Sequence, residues 1–142
     1  MGVIQYTTKE RDLLARLMRA EALGEGDMGM LMVGNVGVNR VLGDCLDFSN
    51  VRTITQMIYQ SPGGFVGKDS PLFNGTPTTK ERNLADRALR GEYYYPATHA
   101  LWFYSPGSNS PCLPLWYNQQ NSGRFKNHCF YVPAPGVCQT LY

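Results

Sequence analysis

The segment from Thr8 to Ala22 reads as an amphipathic helix, and its apolar stripe ends on an acid. Thr7 and Glu10 form a capping-box pattern at its start. Leu14, Leu17 and Met18 recur at helical spacing, and Glu21 falls four residues after Leu17 and three after Met18, on the same inward face. Burial disfavours a charged carboxylate, and so does the partial negative charge at a helix C-terminus, so both raise the expected pKa of Glu21. A carboxyl group that keeps its proton is suited to general-acid chemistry. The competing reading is a rim glutamate neutralised by Arg40 or another cation, since structural ion pairs perturb pKa values too.

The rest of the chain organises around that helix. Gly24 stops it, and a second helix is expected almost at once, with Asp27 as N-cap, apolar Leu31, Met32, Val36, Val38 and Val41, and Gly43 just past its end. Gly34 and Gly37 each cost about 1 kcal/mol relative to Ala in a helix, so close approach of a neighbour, here the first helix, is expected as compensation. A short third helix is predicted from Thr53 to Tyr59. The stretch Ser61 to Thr78 holds three Pro and four Gly and reads as a binding lip or a flexible insertion. Thr78 and Glu81 open another capped helix carrying Leu84, Ala85, Ala88 and Leu89, closing at Gly91. Ala100 to Tyr104 and His128 to Val132 read as short strands flanking a Pro-, Ser- and Asn-rich segment. With no repeat and no linker, residues 1–142 are expected to form one α+β, mainly helical domain. A helical lobe and a small irregular β lobe would enclose a cleft.

Composition narrows the function. A formal charge of +2, 17% charged residues and no Lys/Arg block give no reason to expect nucleic acid. The N-terminus lacks the basic-then-apolar pattern of a secretory signal, Tyr6 replaces the Ser or Thr of a myristoylation pattern, and Met28 to Val38 is too short to span a bilayer. Cys45, Cys112, Cys129 and Cys138 contain no CxxC pair, which argues against zinc, and no cofactor is expected. Two readings of them stand: buried free thiols, or disulfides such as Cys112 with Cys129 or Cys138. Aromatic residues reach 12% and gather between Tyr93 and Tyr131; beside Asn, Gln and Gly they suit sugar rings, although they equally suit a core.

Several polar residues accompany Glu21. Glu25 lies one turn on, where a like charge would push the Glu21 pKa up further, or where it is a solvated turn residue. Asn39 and Arg40 end the second helix, Gln60 ends the third, and Phe65 follows in the loop. A two-carboxylate glycosidase needs a second acid. Asp47 and Asp69 are candidates, each in a loop where a solvated Asp is the simpler reading. A single acid suffices when the sugar supplies its own C6 hydroxyl and yields a 1,6-anhydro product. His128 is either a glycan or Glu21 partner or a core histidine bonded to a backbone carbonyl, whereas His99 reads as structural. Trp116 is the better sugar platform, because Trp102 alternates with Leu101 and Phe103 in a strand.

The stretches LLARLMRAEALGEG, GMLMVGNVGVNR, RTITQMIYQ, LWFY, PLWYNQ and RFKNHCFYVP, spread from Leu13 to Cys138, resemble the cortex-lytic cell wall hydrolases of bacterial spores, the CwlJ and SleB group, and the short CwlJ type most. The resemblance implies a fold similar to lysozyme and lytic transglycosylases, with Glu21 as the acid that protonates a glycosidic oxygen of cortex peptidoglycan next to muramic δ-lactam. It assigns Gln60, Phe65, Tyr104, His128 and Tyr131 to the substrate cleft; Glu25 and Asn39, which accompany Glu21 in the sequence, are expected as supporting residues. It further implies location at the spore coat or cortex–coat boundary after synthesis in the mother cell, coat-protein partners, and responsiveness to calcium dipicolinate. Where members of the group commonly continue from Gln into a compact Gln-Pro-x-Ala-Phe pattern, this chain has QSPGGFVGKDSPLFNG, which puts the loop contacts and any role of Asp69 in question. The competing functions are a noncatalytic glycan-binding or coat protein and a hydrolase of another wall bond, such as the muramoyl amide.

Overall fold

The computed structural model describes residues 4–61 and 64–141. Pro62 and Gly63 of the divergent loop, and the N-terminal residues on which the signal and lipidation readings partly rest, lie outside them. Four helices, α1 (Thr8–Ala22), α2 (Gly26–Gly43), α3 (Ile54–Tyr59) and α4 (Thr79–Leu89), precede four strands, β1 (Trp102–Tyr104), β2 (Leu115–Trp116), β3 (Gln119–Phe125) and β4 (His128–Val132). The mainly helical α+β architecture is as predicted.

Both capping boxes form: Thr7 with Glu10 starts α1, and Thr78 with Glu81 starts α4. Thr53 caps α3 by accepting from the Gln56 N–H. The start of α2 differs from expectation. A 3₁₀ turn, Leu23–Glu25, joins α1 to α2, the N-cap position is Glu25, and Asp27 falls in the first turn. Gly43 is the last residue of α2 rather than the one beyond it, and the left-handed cap is Asp44.

α2 is buried on nearly all sides, as its unbroken apolar run implies, and its glycines sit where neighbours press closest. A Cβ on Gly34 would lie 2.9 Å from Ala88 Cβ of α4 and 3.1 Å from Met18 Sδ of α1; one on Gly37 would lie 2.8 Å from Met57 Cε of α3. Close approach was predicted, but α1 supplies only part of it. α3 and α4 supply the rest, so α2 is the central helix around which the other three pack.

The sheet has order β1-β4-β3-β2, every pairing antiparallel, with Phe103 opposite Phe130 and Arg124 opposite Cys129. β2 and β3 were not anticipated, because QQNSGRF has neither an apolar run nor β-branched residues. The paired-cysteine reading holds for all four thiols: Cys112–Cys129 fastens the irregular segment to β4, and Cys45–Cys138 ties the C-terminal tail to the end of α2. Among the described residues no helix is long and apolar enough to cross a membrane.

Candidate active site

Glu21 is half-buried in the last turn of α1 and lines a cleft of about 500 Å³ between the helices and the sheet. Gly64, Phe65 and Val66 form its near wall, and the loop that follows them to Thr78 is fastened rather than loose. Arg19 donates to the carbonyls of Leu72 and Asn74, each at 2.8 Å, and pairs with Glu81 at 2.9 Å; Arg16 donates to the Phe73 carbonyl at 2.5 Å. The result brings the Gly67 N–H to 2.6 Å from Glu21 Oε2. A Cβ at position 67 would collide with that carboxylate, so only glycine admits this approach.

Burial raises the Glu21 pKa, and the Gly67 N–H and the Arg40 charge oppose it without cancelling it. The two readings of the sequence therefore merge: the inward acid and the nearby cation belong to one arrangement. Arg40 is buried, donates through Nε to the Leu101 carbonyl at 2.9 Å, and lies over the rings of Phe48 (4.6 Å) and Phe65 (4.0 Å). Burial lowers its pKa to about 9, opposed by Glu21 and Asp47, and it stays charged at neutral pH.

Glu25 does not raise the Glu21 pKa, nor is it solvated. It is buried, and its Oε1 accepts from the Asn127 N–H at 2.8 Å, while its carbonyl accepts from Lys126 Nζ at 2.9 Å. Its carboxylate locks the β3–β4 turn onto the start of α2. His128 is buried behind that turn, edge-on to Phe103, with Nδ1 3.6 Å from Glu25 Oε1 and without a hydrogen-bond partner among the described residues. Burial lowers its pKa, with Glu25 opposing, which favours a neutral ring.

Of the five residues assigned to substrate contact, Phe65 alone lines the cleft, stacked on Phe103 at 5.6 Å. Gln60 instead donates to the Asp47 carbonyl at 2.8 Å and braces the Asp47 turn. Tyr104 and Tyr131 stand behind Trp116, their ring centroids 4.9 and 5.5 Å from its own, and Tyr131 donates its hydroxyl to the Leu113 carbonyl at 2.7 Å. Asn39 is also structural: its Nδ2 donates to the carbonyls of Ala97, Thr98 and Ala100. These corrections share a cause, because polar and aromatic side chains at element ends satisfy backbone groups as readily as they meet a ligand.

Other lining residues escaped the sequence. Trp116 lines the cleft as expected, but so does Trp102, packed on Phe48 at 6.0 Å. Val66 and Tyr117, 78% and 80% exposed, form rims on opposite lips. Tyr117 and Asn118 both have positive φ, 50° and 67°, as a two-residue hairpin turn requires, so the Asn between Trp116 and Gln119 was a usable signal. Asp69 does not line the cleft and is largely exposed beside Lys68, whereas Asp47 does line it. Acid, cation and a trough of aromatic faces are the parts needed to hold a sugar chain and protonate a leaving oxygen.

Over the whole of its length the chain is 51% identical to the cell wall hydrolase CwlJ of Halalkalibacterium halodurans, 50% to that of Oceanobacillus iheyensis and 46% to that of Bacillus subtilis, covering 98%, 99% and 98% of those proteins. In three dimensions it is similar to the catalytic domain of the Bacillus cereus SleB protein, with a TM-score of 0.70 at 20% identity over 89% of this chain and 92% of that one. It also matches the catalytic domain of the germination-specific lytic transglycosylase SleB of Bacillus anthracis, with a TM-score of 0.69 at 19% identity over 89% and 96% of the two chains. The sequence pattern of the family described as Cell Wall Hydrolase matches residues 24–131, beginning three positions after Glu21. The chain belongs to the Cell Wall Hydrolase family.

Proposed function

We propose that this enzyme degrades peptidoglycan by cleaving the glycan strands of spore cortex during germination, with Glu21 as the general acid. The observation that carries the reading is a half-buried carboxyl, its pKa raised by burial, inside an aromatic-lined cleft. A protonated Glu21 gives its proton to the glycosidic oxygen as the bond to C1 breaks, and the Gly67 N–H then stabilises the carboxylate left behind. The nearby Arg40 charge favours the same ionised product. Trp116, backed by Tyr104 and Tyr131, offers a flat face for a pyranose ring. Relatives named as cell wall hydrolases, and a structural neighbour named as a germination-specific lytic transglycosylase, support the substrate. Muramic δ-lactam glycan as the target, residence at the cortex–coat boundary and association with coat proteins belong to the same proposal.

The test is digestion of decoated-spore cortex, with mass spectrometry of the fragments. Glu21→Gln is expected to keep binding cortex and to lose cleavage by roughly 100- to 10,000-fold. Full cleavage by that variant removes Glu21 from the chemistry. New 1,6-anhydro ends identify the sugar's own hydroxyl as nucleophile, reducing ends identify water, and released peptide without cut glycan would make the enzyme an amidase.

A further inference from the structure

Asp47 is the second carboxylate of the cleft, and the general-acid scheme leaves it without a task. The turn that carries it, Leu46–Phe48, is held from several sides. Cys45 is bonded to Cys138, Phe48 is buried beneath Arg40 and beside Trp102, and Gln60 grips the Asp47 carbonyl. Leu46 takes a left-handed backbone, φ 55°, which a side-chain-bearing residue adopts only where its surroundings require it. The Asp47 carboxylate itself makes no hydrogen bond or ion pair among the described residues and remains exposed to the cleft. Glu21 and Asp47 both act electrostatically on the Arg40 guanidinium, so the cation lies within reach of both acids. A carboxylate on a braced turn that shares a trough with a proton donor meets the first requirement for an acid and a base working on one bond.

We propose that Asp47 is the base of the glycan-cleaving reaction, accepting the proton of the attacking hydroxyl while Glu21 protonates the leaving oxygen. This rests on the Glu21 reading. The attacking oxygen, from water or from the sugar's C6 hydroxyl, forms a bond to C1 and passes its proton to the Asp47 carboxylate. The bond from C1 to the glycosidic oxygen breaks, its electron pair stays on that oxygen, and the proton of Glu21 completes the new hydroxyl. One proton leaves Glu21 and one arrives at Asp47, and exchange with solvent resets both groups.

The test compares cortex digestion by the parent, Glu21→Gln, Asp47→Asn, Asp47→Ala and, as a control, Asp44→Asn, which alters only an exposed pair with Arg52. Asp47→Asn is expected to lose roughly 100-fold or more in kcat, with KM little changed. Azide, an anionic nucleophile that needs no base, should restore cleavage to Asp47→Ala and leave glycosyl azide ends visible by mass. Anhydro or reducing ends made by the parent report which hydroxyl Asp47 serves. Undiminished cleavage by Asp47→Asn overturns the base assignment and leaves Glu21 in place, as does an inactive Asp47→Ala that azide fails to restore. An active Glu21→Gln overturns the acid reading instead, and a parent that never cuts cortex defeats both.

Discussion

The helical half and the sheet half of this molecule reach a defined shape by different means. Around α2, helices approach so closely that Gly34 has no room for a methyl group against Ala88 and Met18, and apolar contact on all sides settles the arrangement. The sheet half has short strands, a polar β3 and large exposed side chains such as Tyr117 and Leu115. It is held by Cys112–Cys129 and by the stacked rings of Tyr104, Trp116 and Tyr131. The cleft lies where the two halves meet, so Glu21 comes from the densely packed side and most of the cleft's aromatic surface from the stapled side.

Removing the staples gives the largest expected effect. By the entropy of loop closure, Cys45→Ala/Cys138→Ala, with a sequence separation of 93, should cost about 4 to 5 kcal/mol, and Cys112→Ala/Cys129→Ala, with a separation of 17, about 3 kcal/mol, both read from urea unfolding. The shorter link should matter more for substrate affinity, because Leu113 beside it accepts from Tyr131 and donates to Tyr104, the rings that back Trp116. Equal effects on KM would break the contrast between the halves.

Next in size is Gly34→Ala. Helix propensity alone would make it stabilising, yet a Cβ 2.9 Å from Ala88 Cβ should turn the sign and cost about 1 to 3 kcal/mol. A stabilised variant would mean that α2 and α4 part easily and that the helical half is not defined by close contact.

The smallest expected effect is on the stability of Glu21→Gln. A raised pKa means the folded state holds the Glu21 proton more tightly than the unfolded chain does. That contribution is full in acid, below the ordinary value near 4.5, and is lost as pH rises through the folded pKa. Gln resembles the protonated form, so the variant should melt slightly higher than the parent at neutral pH and converge with it below about pH 4. The loss of the Glu21 charge beside Arg40 limits the gain. Calorimetry across pH reads the sign, and a variant that is less stable at neutral pH would show that the Gly67 and Arg40 contacts outweigh burial.

Legibility in the sequence followed the same divide. α1, α3 and α4 announce themselves because each begins with a Thr whose side chain caps its own first turn, a contact made within four residues. Glu21 was readable for a similar reason: helical spacing alone puts it on the apolar face. β2 and β3 were not readable, since a strand such as QQNSGRF is stabilised by partners far away in sequence rather than by its own pattern. Gln60 and His128, expected in the cleft, and Asn39, expected to support it, have roles set by a turn, a buried glutamate and distant backbone carbonyls, none of which spacing can reveal.

Local chemistry thus determined the helices, the capping boxes of α1 and α4, the inward acid and the likeness to spore wall hydrolases, because those features depend on residues a few positions apart. Only the tertiary structure decided which thiols pair, that Gly67 brings an N–H to Glu21, and that Asp47 rather than Asp69 shares its cleft. Each of those outcomes depends on where separate segments meet in space, and that is settled by packing of the whole chain.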